Sequence, residues 1–168
     1  MANAWGEHTY GEPCRECGFS WSTSLAASIG VVAGAPSSFA VVLAGASGRE
    51  RHPALGWSVA EYVLHVGDNL RIWAERVAGI TGGDPPRVAS YDENVLATAR
   101  AYPAVGLHAA EWSLGTAARD WVDVMRAAPP DLVMEHPERG AMGLEQVASG
   151  NAHDALHHLF DVRRSLGR

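Results

Sequence analysis

Near the C-terminus the sequence runs N-A-H-D-A-L-H-H-L-F-D-V, with His153 and His157 four residues apart. Four residues of helix bring a side chain back to within about 40° of its starting direction. The two imidazoles therefore share a face and can chelate one ion, as H-x-x-x-H sites do. Two ordinary helix residues have the same spacing, so a third ligand is needed to make a site. His65, in W-S-V-A-E-Y-V-L-H-V-G-D, lies beside an apolar helical stripe and is the leading candidate. His108, near a helix start, and His136, in a loop, are weaker ones, and His52 reads as a loop residue. His158 points about 100° away from His157 and reads as a solvated or packing residue.

Three neutral imidazoles leave a divalent ion its full charge and an open coordination position. Water or a thiol bound there loses its proton more easily and becomes a nucleophile near neutral pH. Imidazole suits zinc and nickel, with iron and manganese as further options, so ligand type does not choose the metal. Glu61, one turn before His65, and Asp161, one turn after His157, are placed to fix a ligand's tautomer through its second ring nitrogen. The plain alternatives are a capping residue for Glu61 and a solvated carboxylate for Asp161.

A second motif is E-P-C-R-E-C-G-F, which puts Cys14 and Cys17 in the C-x-x-C-G form of half a zinc knuckle. No other cysteine exists to complete it. His8 is a candidate third ligand, with another histidine or a carboxylate as the fourth. A reversible disulfide and a pair of reduced, inert thiols are the other readings; no thioredoxin-like βαβ pattern surrounds the pair.

Helices are needed to position these groups. Ser58 is a good N-cap, and Glu61 completes a capping box. The helix they open carries Val59, Tyr62, Val63, Val66, Leu70, Trp73 and Val77 at three- and four-residue spacing and ends near Gly79. Earlier, the pattern predicts a helix from Ser22 to about Ala33, closed by Gly34, and a second from Pro36 to Leu43. A short helix is expected over Tyr91–Tyr102. A long one should span Leu107–Ala127, with Trp112, Ala117, Trp121, Val124 and Met125 near one side. D-L-V-M-E-H-P-E-R-G-A-M-G reads as a loop or short extended excursion, and Gly143–Leu166 as the last helix. Trp57, Trp73, Trp112 and Trp121 are expected to pack in the core, while Trp5 and Trp21 belong to an arm that wraps the bundle. The expected organisation is an irregular N-terminal arm over residues 1–21 and an all-α four-helix bundle over residues 22–168.

Composition narrows the function classes. The 168 residues carry a formal charge of −6, and all 13 basic residues are arginine. That charge disfavours non-specific binding to nucleic acid or to an anionic membrane. The uncharged stretch from Gly18 to Gly48 is long enough to span a bilayer. Its Ser, Gly, Ala and Pro content fits buried helices better. The first residues lack a secretory h-region, so the expected location is the cytoplasm. No nucleotide-binding glycine loop or G-x-S-x-G elbow is present.

Two motifs in combination, W-x-x-x-E-x-x-x-H at Trp57, Glu61 and His65 and H-D-A-x-H-H-x-x-D from His153 to Asp161, resemble the DinB/YfiT superfamily. These bacterial bundles include thiol-dependent S-transferases and mycothiol-dependent maleylpyruvate isomerases. The resemblance covers about Ser22 to Leu166. It implies an up-up-down-down bundle with a three-ligand metal site, which by motif match is His65, His153 and His157. The isomerase branch carries Glu at the first position of the C-terminal pair, where this reading places His153. The resemblance further implies a metal-dependent S-transferase or isomerase, using a low-molecular-weight thiol as co-substrate on a small-molecule electrophile. A non-catalytic metal-binding or stress-response protein of the same fold is the alternative. A homodimer is compatible with either.

Overall fold

The computed structural model describes residues 6–168. Trp5 lies outside them.

The Ser58 cap forms as read. Its hydroxyl accepts from the Glu61 amide, and the Glu61 carboxylate accepts from the Ser58 amide at 2.6 Å. This opens α3 (Val59–Thr81), in which the predicted stripe Val59, Val63, Val66, Leu70, Trp73 and Val77 is buried. Before it come α1 (Glu7–Tyr10), a single turn in the arm, and α2 (Leu25–Leu43). After it come α4 (Glu93–Ala99), a 3-10 turn at Tyr102–Ala104, and α5 (Leu107–Ala127). A hairpin of β1 (Val133–His136) and β2 (Gly140–Gly143) then feeds α6 (Leu144–Leu166). The strands pair antiparallel from Val133 opposite Gly143 to His136 opposite Gly140.

Helices α2, α3, α5 and α6 form the bundle. α3 packs on α5 and α6, and α2 on α6 and α5, so the order around the bundle is α2, α5, α3, α6. Elements distant in sequence thus become neighbours, and α3 lies beside α6. At the α3–α5 contact, a Cβ on Gly67 would sit 3.3 Å from the Leu114 backbone, so glycine permits the close approach of the two helices.

Three expectations are corrected, and the extended excursion expected after Pro130 is a paired hairpin. The two short helices before Leu43 are one, running through Pro36. Proline removes one backbone donor, but Ile29, Val32, Ala35, Phe39 and Val42 keep a single buried stripe on both sides of it. By length and composition α2 could cross a membrane; here it packs as a bundle helix against α5 and α6. Next, Trp112 is 73% exposed while Trp121 is fully buried. Nine residues at about 100° per residue is two and a half turns, so the two indoles leave α5 on opposite sides. Finally, α4 is shorter than expected because the chain turns at Ala101, which has a left-handed φ of 49°.

Candidate metal centre

A cleft of about 350 Å³ opens between α3 and α6, walled by the hairpin and the loop before α4. His65, His153, Asp154, His157 and His158 all line it. The structure sorts them into two candidate clusters, and the expected trio does not fall within one of them. His65 meets Asp154 and His158, while His153 and His157 meet Cys14 and Cys17. Within each cluster the potential ligand atoms lie within 4.8 Å of one another.

The cause is helical geometry. α6 carries two i, i+4 pairs, His153/His157 and Asp154/His158, offset by one residue and so by about 100°. The first pair faces the N-terminal arm, where Tyr10 and Trp21 each lie 4.5 Å from the His153 ring. The second faces α3. There Asp154 Oδ1 is 3.5 Å from His65 Nε2 and 3.5 Å from His158 Nε2. Trp57 packs on the His65 ring at 4.8 Å and Tyr62 on His158 at 5.2 Å, which fixes both imidazoles.

Of the two readings of His158, packing holds and solvation does not, since its ring lies against Tyr62 and His65. His158 Nδ1 donates to Asp161 Oδ2 at 3.0 Å, leaving Nε2 for the cleft. Asp161 pairs with His158 and not with one of the three histidines it was expected to orient. Glu61 does not reach His65; its carboxylate is occupied by the Ser58 amide and by Arg51 at 2.6 Å, so its role is capping. His8 is exposed beside Glu7 and belongs to neither cluster. His108 is exposed at the start of α5, and His52 caps its own loop by accepting from the Ala54 amide. His136 is buried on β1, stacked on Trp73 at 6.0 Å. Sequence reasoning did not single out Asp154 and His158 as candidate ligands, although the same four-residue spacing relates them.

Charges in the two clusters are set in opposite directions. Burial, then neighbouring His157, pushes the His153 pKa down to about 4. Burial and His158 also lower His157. Burial opposes charge on His158 too, but Asp154 and Asp161 outweigh it and raise its pKa to about 9. Asp154 is held below the ordinary carboxylate range, because His65 and His158 outweigh its own desolvation.

These shifts give the metal-free protein a bell-shaped stability profile. An ordinary histidine titrates near 6.5. As pH falls below that value, the unfolded chain binds a proton that folded His153 refuses until about pH 4, so stability drops. Asp154 adds to this acid limb, since its depressed pKa gives stability that is lost as pH falls through the carboxylate range. The His158 contribution is fully present below 6.5 and is lost as pH rises through about 9. Urea midpoints of chelator-treated protein should peak near pH 6.5; a maximum at or above pH 9 would contradict the assignment.

One buried atom points to a missing partner. Asp154 Oδ2 has no hydrogen-bond donor among the described residues. A buried carboxylate oxygen without a partner is costly, and two imidazole nitrogens converge beside it. Two neutral imidazoles and one carboxylate are an accepted ligand set for zinc, iron, nickel or manganese, so these residues fit a divalent ion.

Comparison with known proteins rests on structure. No family model matches the sequence, and no curated protein matches it. YfiT from Bacillus subtilis, described as a probable metal-dependent hydrolase with an unusual four-helix bundle topology, superposes with a TM-score of 0.70. The match covers 85% of this chain and 87% of that one at 16% identity. This chain has the YfiT fold. The YfiT-like part is the four-helix bundle that brings α3 beside α6, and the small hairpin accompanies it.

Proposed function

We propose that the protein is a metal-dependent enzyme that activates a small nucleophile, a low-molecular-weight thiol or water, for attack on a small anionic electrophile. The carrying observation is the convergence of His65, Asp154 and His158 in the cleft around an unpartnered carboxylate oxygen. Assigning Asp154 and His158 as the C-terminal pair also places a carboxylate at its first position, where the isomerase branch of the resembled superfamily carries Glu. When bound, a divalent ion would supply Lewis-acid activation of the nucleophile and charge stabilisation of the reacting group.

The protein's own residues do the rest. Asp161 holds the His158 ring through Nδ1, so that Nε2 faces the cleft. Trp57 covers His65 and limits water access on that side. Two guanidiniums line the same cleft. Arg76 lies 4.5 Å over Trp73, and Arg139 lies 5.6 Å from the same ring. Arg76 Nη1 is buried with no acceptor among the described residues. Burial lowers the pKa of both guanidiniums, Arg76 adds to the effect at Arg139, and an anionic substrate group would favour the charged form of each.

The test is a paired screen on protein loaded with zinc, nickel, iron(II) or manganese. One arm supplies a thiol and carboxylate-bearing electrophiles; the other supplies carboxylate-bearing esters and amides in water. Turnover is expected in one arm, dependent on metal, and reduced at least about 100-fold in His158→Ala, beyond the 10–100-fold typical of groups that only orient ligands. Uncharged analogues should react more slowly. Undiminished turnover in chelated protein would overturn the reading.

A further inference from the structure

The function proposed above leaves the second cluster unused. Cys14 and His153 are 3% and 4% exposed, and the arm closes over them. C-x-x-C on the arm and H-x-x-x-H on α6 thus converge from opposite ends of the chain. We propose that Cys14, Cys17, His153 and His157 form a closed tetrahedral zinc site that clamps the N-terminal arm onto α6.

Four features carry this. First, Cys14 Sγ is 3.7 Å from His157 Nδ1. A tetrahedral zinc with bonds of about 2.3 Å to sulfur and about 2.0 Å to nitrogen has a sulfur–nitrogen edge of roughly 3.6 Å. Second, His157 Nε2 lies 3.2 Å from Glu16 Oε2, so the carboxylate accepts a hydrogen bond from Nε2–H and leaves the Nδ1 lone pair facing Cys14. That is the carboxylate–histidine arrangement by which proteins orient zinc ligands. Third, His153 Nε2 is buried with no partner among the described residues, although the rest of the ring is packed by Tyr10, Phe19 and Trp21. Fourth, the cysteine turn has knuckle geometry. The Gly18 amide donates to the Cys14 carbonyl at 2.9 Å, the Cys14 amide donates to the Phe19 carbonyl at 2.8 Å, and Gly18 takes a φ of +74° that favours glycine.

Two thiolates and two imidazoles fill four coordination positions, so the site is structural and leaves no place for substrate. Binding replaces the two thiol protons, which are released to solvent. Thiolate ligands favour zinc over manganese or magnesium. The open cluster at His65, Asp154 and His158 contains no sulfur, so the two sites are spectroscopically separable.

The experiment uses the full chain, metal-stripped under reducing conditions, then titrated with zinc alone or cobalt(II) alone. About two zinc ions per chain are expected, and the cobalt form should show a thiolate-to-metal charge-transfer band with tetrahedral ligand-field absorption. Zinc should slow the reaction of both cysteines with a thiol reagent at least about tenfold. The double change Cys14→Ser with Cys17→Ser should remove the charge-transfer band and one zinc, while Asp154→Ala should remove one zinc and keep the band. Should the cysteine variant fail to fold, the cobalt spectrum and thiol protection of the unaltered chain decide the matter. No charge-transfer band, or thiols that react equally fast with and without zinc, would overturn the proposal. Loss of the band in Asp154→Ala would also overturn it, by showing a single shared site.

Discussion

Asp154→Ala should lower metal affinity at the α3–α6 cluster by more than about 100-fold and remove the metal-dependent activity with it. Removing a group that only orients a ligand typically costs 10–100-fold, and Asp154, as a proposed ligand, has Oδ1 3.5 Å from each of two imidazole nitrogens. The loss has two parts. A charged donor disappears from a three-donor set, and His65 and His158 lose the carboxylate that lies between them. The comparison that decides the register is Asp154→Ala against His153→Ala. These positions are adjacent in sequence yet project from α6 about 100° apart. Asp154→Ala should eliminate activity, and His153→Ala should leave the open site's stoichiometry intact while loosening the arm. Metal analysis and isothermal titration on each variant check this. Equal loss of that ion in both would return His153 to the same coordination sphere as His65.

Trp121→Ala should destabilise the bundle by about 3–5 kcal/mol, the usual range for truncating a buried aromatic. The indole is fully buried on α5. Against a typical total stability of about 5–15 kcal/mol, that loss leaves the protein marginal. Trp121 Nε1 has no acceptor among the described residues, so Trp121→Phe removes an unsatisfied donor along with packing and should cost distinctly less than the alanine change. Trp112→Ala, on the same helix but 73% exposed, should stay within about 0.5 kcal/mol of the parent. Chemical denaturation of the three variants gives the order directly. A Trp112 change as costly as the Trp121 change would mean that the outer face of α5 is covered in solution.

Periodicity made the scaffold legible. Ser58 and Glu61 announce the start of α3, the buried stripe of that helix recurs at three and four residues, and α5 spans Leu107–Ala127 as read. Such signals are local, because capping and amphipathic spacing depend on residues within one or two turns. Where local cues failed, a longer-range term won. Pro36 removes one helix bond, yet the buried face continues past it. Trp112 and Trp121 stand nine residues apart, a helical spacing that by itself puts them on opposite faces of α5.

The chemistry followed the same division. By itself the sequence determined that α6 carries metal-competent groups at i, i+4, that α3 offers His65, and that Cys14 and Cys17 form a knuckle-like turn, because residue type and helical spacing are local properties. It could not decide which of two overlapping pairs belongs with which partner. His153/His157 and Asp154/His158 satisfy the spacing equally and differ only by the rotation of one residue about the helix axis. That rotation is set by how α6 seats against α3 on one side and how the arm, with Tyr10 and Trp21, seats on the other. Tertiary packing therefore gave His65 to Asp154 and His158, and gave both cysteines to His153 and His157.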